Sequence, residues 1–198
     1  RFSIFSDADW WPRSRLSLII DADIGAHDAE APVGLYFNQL GSLDANSDYQ
    51  GNDDNYIEVR ENEIEDEEVT IPLINVPYRF VESTRYNIKQ PLTISAGAIL
   101  EFADGAGLRL GEQSSDCSTT TGALNATGTA EEPIVFRGTT EGRGAWLGIG
   151  INSSSPNNKL IYCEISGGGS ADFYNASDFA ANVTLQCESK VFVQNSII

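Results

Sequence analysis

Short segments of alternating apolar and polar residues recur along the chain, separated by clusters of Gly, Asn, Ser and Asp. Such alternation is typical of strands with one buried face, and the clusters between them are typical of turns. No apolar run with the spacing i, i+3, i+4, i+7 between capping residues predicts a helix. The pattern therefore predicts an all-β protein.

From residue 91 onward, the segments repeat as short strand, tight corner, short strand, at roughly 25–40 residues per repeat. This repeat predicts a solenoid rather than a sandwich, because hairpin signals such as Asn-Gly do not join the segments. Like positions of neighbouring repeats then lie about 4.8 Å apart. We expect one column to contain Leu108, Leu147 and Val183, and another to contain Ile134, Ile161 or Cys163, and Ile197.

The N-terminal part, residues 1–73, is less regular and contains Asp/Asn-rich loops and an acidic run at 61–68. Its alternation predicts strands at 15–20, 33–37, 56–60 and 69–73, and a further strand follows at 78–81. We interpret 1–73 as irregular β-coils with long loops that belong to the same solenoid, and a separate N-terminal domain is the alternative. Residues 74–198 form the regular part.

Four phrases in the regular part carry a family resemblance. They are Val76-Pro77-Tyr78, PLTISAGAILEFADGAGLRLG, GALNATGTAEEPIVFRG and GAWLGIGINSSSPNNKLIYCEISGGG. They resemble the bacterial secreted and cell-surface proteins with right-handed parallel β-helix repeats, over about residues 74–198. The resemblance implies a right-handed parallel β-helix and an extracellular or cell-surface location. It implies little about activity, because one fold supports many functions.

Composition narrows the classes of partner. The 198 residues carry a formal net charge of −17, and 41% of them are hydrophobic. A folded chain this acidic repels nucleic acids and anionic membranes, so neither is expected as a partner. No run of about 18 apolar residues predicts a membrane-spanning segment.

The two ends of the sequence carry a further expectation. The chain opens at Arg1, contains no Met, and shows strand pattern up to Ile198 without a capping element. We therefore expect a fragment of a longer chain. At the C-terminal end, either further coils or another subunit are expected to cover the open solenoid.

Three cysteines are too few for a disulfide framework, and their spacing matches no zinc site. Strand parity directs Cys163 inward with its neighbours Ile161 and Ile165, which predicts a buried thiol. Cys117 and Cys187 both precede strands at a corner, and we expect these two to form a disulfide. Asn-x-Ser/Thr sequons, which suit an extracellular protein, begin at Asn125, Asn152, Asn175 and Asn182.

One loop contains oxygen-bearing side chains at spacings that resemble the first half of a calcium loop: Asp44, Asn46, Asp48 and Asp53. Gly51 follows Asp48 too late for that motif, and no Glu occupies its twelfth position. The favoured interpretation is a solvated turn, because Asp and Asn are common in turns. Calcium is the one cofactor that the sequence suggests.

No catalytic set converges in the sequence. Glu101 and Glu164 are outward carboxylates, but glycosidase chemistry needs two of them close together, and a strand with Arg137 is expected between them. Lyase chemistry would favour Arg109 and Arg137 on one face, but two outward arginines are unremarkable and no catalytic role is assigned to them. The single histidine, His27, lacks a Gly-x-Ser-x-Gly nucleophile motif and is interpreted as a loop residue.

Exposed aromatic residues are the sequence's candidates for carbohydrate contact. Trp10 and Trp11 follow an acidic turn and are the better candidates for stacking on sugar rings. Trp146 heads a predicted strand, where packing is the favoured role.

We therefore expect a non-enzymatic extracellular structural or adhesive protein that associates through its solenoid ends, with carbohydrate or surface protein as the other partners considered. The alternatives are a polysaccharide-binding or polysaccharide-cleaving, lyase-like β-helix, and an acidic adhesin stabilised by calcium.

Overall fold

The structure, a computed structural model, describes residues 33–61, 63–111, 122–171, 173 and 180–198. Within these ranges the chain is almost entirely strand and turn, with one short 3₁₀ helix at Phe37–Ser42. The strands are β1 (Val33–Tyr36), β2 (Ile57–Arg60), β3 (Val69–Ile71), β4 (Tyr78–Phe80), β5 (Arg85–Ile88), β6 (Pro91–Ile94), β7 (Ile99–Phe102), β8 (Gly107–Leu110), β9 (Ala123–Thr127), β10 (Ile134–Gly138), β11 (Gly148–Ile151), β12 (Lys159–Ile161), β13 (Cys163–Ile165), β14 (Val183–Leu185) and β15 (Phe192–Gln194). The expectation of an all-β protein is confirmed.

Three parallel sheets contain all of these strands. Sheet A has the order β1-β2-β4-β7-β10-β13, sheet B the order β5-β8-β11-β14, and sheet C the order β3-β6-β9-β12-β15. From β4 onward the chain visits sheets A, B and C in turn, four times. We call these passages coil 1 (β4–β6), coil 2 (β7–β9), coil 3 (β10–β12) and coil 4 (β13–β15). The earlier strands β1 and β2 pair onward to β4, and β3 pairs with β6.

The strands form because their apolar residues alternate. In β10, Ile134 and Phe136 are buried, whereas the intervening Val135 is half-buried and Arg137 is exposed. Side chains of successive strand residues point to opposite faces, so this pattern buries one face of sheet A and leaves the other in contact with solvent.

Aromatic rings stack along the core from coil to coil. The ring centroids of Phe80 and Phe102 are 4.6 Å apart and those of Phe102 and Trp146 are 4.3 Å apart, with nearly parallel planes. Trp146 is fully buried, and its Nε1 donates a hydrogen bond to the Ser166 carbonyl at 2.8 Å. Its packing role is therefore confirmed.

The backbone needs glycine where β11 begins. Gly148 has a φ of 101°, and a Cβ there would lie 2.5 Å from the carbonyl oxygen of Ala181. The β11 strand thus starts at a residue that only glycine fills without strain. As a result Ile149, not Leu147, is the register partner of Leu108 and Val183. The prediction for Leu147 was wrong, and this side chain packs on Phe173 instead.

The second predicted column is right for one pair and wrong for the other residues. Ile134 is the register partner of Cys163, as expected. Ile161 lies in sheet C, because Tyr162, with a φ of 48°, turns the chain and divides the expected single strand into β12 and β13. Ile197 forms a bridge with Glu164 rather than with the Cys163 position.

A buried amide connects three coils at the corner before sheet C. Nδ2 of Asn158 donates to the carbonyls of Ser153 at 3.0 Å and Lys190 at 2.9 Å, and Oδ1 accepts from the Leu124 amide at 3.1 Å. The side chain thereby pairs with the Leu124 amide and the Lys190 carbonyl, and it adds a second donor to the Ser153 carbonyl, which also accepts from the Lys190 amide.

Candidate functional site

The outward face of sheet A carries a column of alternating charge. Glu58, Arg79, Glu101 and Arg137 are register partners on the successive strands β2, β4, β7 and β10. Glu58, Arg79 and Glu101 each lie between two buried residues of their strand, and Arg137 follows the buried Phe136. Opposite charges on neighbouring strands attract, so this charge column favours the observed register.

The Glu101 carboxylate is the centre of this column. Arg79 donates to Oε2 of Glu101 through Nε at 3.1 Å and Nη2 at 2.9 Å, and Arg137 donates to Oε1 through Nε at 3.3 Å and Nη2 at 2.7 Å. Glu101 is buried, whereas the two arginines remain partly exposed. Both carboxylate oxygens are therefore engaged, and Glu101 is an anchor between two guanidinium groups.

Arg79 is held from its other side by an aromatic ring. Its guanidinium carbon lies 3.9 Å from the ring centroid of Tyr56. Burial raises the pKa of Tyr56, although the nearby Arg79 acts in the opposite direction. The phenol is thus neutral at physiological pH, and the contact is a cation–π interaction.

A surface depression of about 490 Å³ lies beside Arg137. Its lining offers a guanidinium, carboxylates and hydroxyls, which are groups that hydrogen-bond sugars: Glu101, Arg137, Gly138, Thr139, Thr140, Glu141, Gly142, Ser166 and Gly167. A second depression of about 320 Å³ shares Gly167 and adds Arg143. Two arginines thus border this surface of a strongly acidic chain.

Sheet B carries a separate polar network. Asn87 accepts from Nε of Arg109 at 2.6 Å and donates to Oε1 of Glu63 at 2.6 Å, and Lys89 lies 2.5 Å from Glu63 Oε2. Burial acts to raise the pKa of Glu63, but hydrogen bonds from Lys89 and Asn87 outweigh it and lower that pKa. Arg109 therefore lies on a different sheet from Arg137, and the two do not share the face that lyase chemistry would favour, because a corner separates β8 from sheet A.

The structure does not bring the two sequence-predicted carboxylates together. Glu164 lies on β13, in register with Val135, whereas Glu101 lies on β7 in register with Arg137. The strand β10 separates them, as the sequence predicted. The pair consequently lacks the close, unobstructed approach that glycoside hydrolysis needs.

The predicted calcium residues form a hydrogen-bonded turn. The carboxylate of Asp44 accepts from Asn46 at 3.3 Å and from Ser47 at 2.9 Å, and Oδ1 of Asp48 accepts from the Gln50 amide at 3.0 Å and from Asn75 at 2.6 Å. The Gln50 amide, followed by Asn75, lowers the pKa of Asp48.

These bonds are those of an Asx-rich turn, and Asp53 is exposed. Across the part of the chain that the structure describes, no group of three or more His, Cys, Asp or Glu side chains could hold a metal ion. Calcium binding by Asp44, Asn46, Asp48 and Asp53 stays a prediction.

Cys163 is buried with a free thiol, as predicted, and its Sγ lies 3.5 Å from the carbonyl oxygen of Ala126. Burial raises the pKa of this thiol to about 11. Cys117 lies outside the described residues, so its disulfide with Cys187 stays a prediction. His27, Trp10 and Trp11 also lie outside the described residues.

The sequence analysis missed two residues that connect neighbouring coils, Arg79 on this surface and Asn158 in the interior before sheet C. The sequence analysis predicted the strand that contains Arg79 but no role for this residue. Its position between two aromatic residues, Tyr78 and Phe80, could have indicated an outward side chain. The sequence analysis assigned no role to Asn158, because an Asn before a strand is as compatible with an exposed turn as with a buried amide.

Comparisons with protein-family models, with curated proteins and with solved structures found no match. The resemblance to β-helix repeat proteins therefore rests on the sequence phrases alone. Among the described residues, no helix has the length and apolar character needed to cross a bilayer.

Proposed function

We propose that the three sheets are the faces of one right-handed parallel β-helix, and that the protein is a non-enzymatic, extracellular structural or adhesive scaffold. The observation that carries the proposal is the charge column of sheet A. There, Glu101 joins the strands of three successive coils through arginines on both sides. A carboxylate that pairs with arginines on both neighbouring strands stabilises the stacked strands, and we infer that its role is structural rather than catalytic.

The regular order of the sheets supports the same proposal. Each strand of a coil pairs with the equivalent strands of the coils before and after it, which is the arrangement of solenoid proteins. The stacked rings of Phe80, Phe102 and Trp146 and the amide of Asn158 connect neighbouring coils inside the stack. Such repeated contacts favour a stiff rod that presents its loops at fixed spacings.

The charge distribution supports an extracellular role. The loop at 65–68 places acidic side chains on the surface, and the chain as a whole has a net charge of −17. High net charge of one sign keeps a secreted protein soluble and separate from anionic surfaces.

An assay on acidic polysaccharides tests the non-enzymatic part. Pectin, alginate and hyaluronan are incubated with the protein, and unsaturated products are followed by ultraviolet absorbance. We expect no product above the buffer control. Product that the wild type forms and Glu101→Gln does not would contradict the proposal and favour a lyase.

Binding of acidic polysaccharide without cleavage is the second candidate function, and one observation favours it. The partly exposed guanidinium of Arg137 lies beside hydroxyls of Thr139, Thr140 and Ser166 in an open depression. Calorimetric titration with oligogalacturonate tests it, with Arg137→Gln as the variant and Arg60→Gln on the same sheet as the control. Binding that both variants retain would exclude this site.

A further inference from the structure

Phe173, on the segment between β13 and β14, is buried outside the main core. Its side chain is almost fully buried and packs against Leu147, and the two form a cluster apart from the residues inside the stack. Connecting segments run over the surface of a protein. Burial of a ring on such a segment stabilises the place where the segment docks, because it removes apolar surface from water.

Gly107 of β8 forms the floor beneath the Phe173 ring. It occupies an outward position of sheet B, in register with Arg85 on β5, yet it is buried. A Cβ at Gly107 would lie 2.9 Å from Cε2 of Phe173 and 2.8 Å from Cβ of Leu147. It would also lie 2.9 Å from the carbonyl oxygen of Gly148. The ring approaches the strand this closely because residue 107 has no side chain.

Arg85 holds Phe173 from the other side through two contacts. Its Nε donates a hydrogen bond to the Phe173 carbonyl at 3.0 Å, and its guanidinium carbon lies 5.3 Å from the centroid of the ring. The two residues are 88 positions apart in the sequence. Both contacts involve a charged group, which makes them stronger than contacts between neutral groups.

The residues that lead from β13 to Phe173 cross coil 3 on the way. Main-chain hydrogen bonds of 2.8–3.3 Å join residues 167–170 to residues 144–147, in the corner of coil 3 that precedes β11. The Gly168 amide also donates to Oδ1 of Asn182 at 2.7 Å. These bonds fix the direction of the segment before it reaches Phe173.

The contacts of Phe173 extend from one end of the regular stack to the other. In a stack whose coils pair only with their neighbours, each coil is stabilised by its own residues and by the two coils next to it. Phe173 belongs to coil 4 and packs on Leu147 in coil 3. It also covers Gly107 in coil 2 and accepts a hydrogen bond from Arg85 in coil 1. Coil 4 therefore cannot move away from coil 1 without loss of this contact.

We propose that residues 166–171 and Phe173 form a strap that fastens coils 1–3 to coil 4 along the outward face of sheet B, so that the first and the last of these coils open together. The strap differs from the pairing of strands, which connects neighbouring coils only. This inference goes beyond the proposed scaffold function, because it concerns how the coils are held and not what they present.

Limited proteolysis of the 198-residue chain by chymotrypsin tests whether the strap is held. Chymotrypsin cleaves after aromatic residues, so the bond that follows Phe173 is cut only when the strap is released, and mass spectrometry identifies that cut. Arg85→Gln removes the guanidinium in coil 1. Arg109→Gln is the matched control, because Arg109 lies on the next strand of the same sheet and donates to Asn87. We expect slow cleavage in the wild type and in the control, and at least roughly tenfold faster cleavage in Arg85→Gln.

A second pair of variants tests the floor beneath the ring. Gly107→Ala places a methyl group where the ring lies and should also accelerate cleavage after Phe173 at least roughly tenfold. Gly34→Ala is its control, because a Cβ there would meet only Cβ of Glu58, at 3.9 Å. Circular dichroism and thermal unfolding establish that the variants are folded. If Gly107→Ala does not fold, the two arginine variants decide.

Hydrogen exchange tests the coupling between coil 1 and coil 4. Ile165→Ala removes a buried side chain from β13 of coil 4, and exchange is followed at the amides of β5 in coil 1. In the chain with Phe173, we expect Ile165→Ala to accelerate exchange in β5 at least roughly tenfold. In the Phe173→Ala background, the same substitution should leave exchange in β5 nearly unchanged.

The proposal is overturned by rapid cleavage after Phe173 in the wild type, or by equal cleavage rates for Arg85→Gln and Arg109→Gln. An effect of Ile165→Ala on β5 that does not depend on Phe173 would also overturn it, because the stacked strands would then carry the coupling. Cleavage and rapid exchange throughout sheets A, B and C of the wild type would contradict the stack itself. Failure of the scaffold proposal is thereby distinguished from failure of the strap.

Discussion

Arg137 and Glu101 lie on neighbouring strands of sheet A, and Nη2 of the arginine approaches Oε1 of the glutamate to 2.7 Å. Arg79 makes the equivalent contact with the other carboxylate oxygen from the opposite side. A single buried carboxylate thus pairs with two guanidinium groups that lie on either side of it.

Replacement of Glu101 by Gln should destabilise the stack. The amide keeps the shape of the side chain but leaves two arginines facing each other without the charge between them. Because both arginines are partly exposed, we expect a loss of about 1–3 kcal/mol in the free energy of unfolding, measured by urea denaturation. Glu58→Gln, in the same charge column but in a surface ion pair with Arg60, should cost less than about 1 kcal/mol. Equal losses of unfolding free energy for both variants would contradict the role of Glu101 as the anchor of the charge column.

Among the polar side chains of the described residues, Asn158 should be one whose replacement lowers the free energy of unfolding most. Asn158→Ala removes two donated hydrogen bonds and one accepted hydrogen bond, so that the Leu124 amide and the Lys190 carbonyl lose this partner, whereas the Ser153 carbonyl keeps the Lys190 amide as a donor. We expect a loss of about 2–4 kcal/mol. The neighbouring Asn157 is exposed, and Asn157→Ala should change stability by less than about 0.5 kcal/mol. A small effect at Asn158 would mean that water replaces the amide.

Because Cys163 is buried, we expect the free energy of unfolding to decrease as the pH rises in the alkaline range. Because the pKa of the thiol is raised to about 11 in the folded protein, the unfolded state loses this proton first, near its ordinary pKa of about 8.5. The buried, protonated thiol therefore makes its full contribution to the free energy of unfolding below about pH 8.5. That contribution is lost as the pH rises toward the pKa of the thiol in the folded protein. We expect Cys163→Ala to weaken the fall in stability above about pH 8.5.

In the native protein at neutral pH, a thiol reagent should label Cys163 only after denaturation. Rapid native labelling would show that the site opens.

The sequon at Asn152 should be incompatible with a glycan. Asn152 is fully buried, and an attached oligosaccharide is large and polar, so the modified chain could not close around it. In a host that glycosylates secreted proteins, we expect poor secretion of the wild type and recovery by Ser154→Ala, which removes the sequon and keeps Asn152. Folded, secreted protein with a glycan mapped to Asn152 would refute the placement of this residue.

Much of the strand content could be predicted because alternation is a local property. The expected strands at 33–37, 56–60, 69–73 and 78–81 each overlap an observed one. The errors in the predicted columns of stacked residues arose where a single residue changes the direction of the backbone. The positive φ of Tyr162 divides an apparently continuous strand, and the start of β11 at Gly148 shifts its register so that Ile149 rather than Leu147 faces Leu108.

The candidate site was less predictable because it depends on register between distant segments. Arg79, Glu101 and Arg137 meet across separations of 22 and 36 residues. The unequal lengths of the coils decide which outward residues become neighbours. Arg109 has the same strand context as Arg137, yet a corner places it on another sheet.

Dipolar broadening between two spin labels tests the stacked arrangement most directly. Thr70 and Lys159 occupy one outward column of sheet C, with Thr93 and Asn125 between them. Three strand spacings separate the labelled positions, so their backbones should lie about 14 Å apart. The account predicts strong dipolar broadening in the frozen spectrum of the doubly labelled protein. A spectrum equal to the sum of the two singly labelled spectra would contradict it, because these strands would then not stack in register.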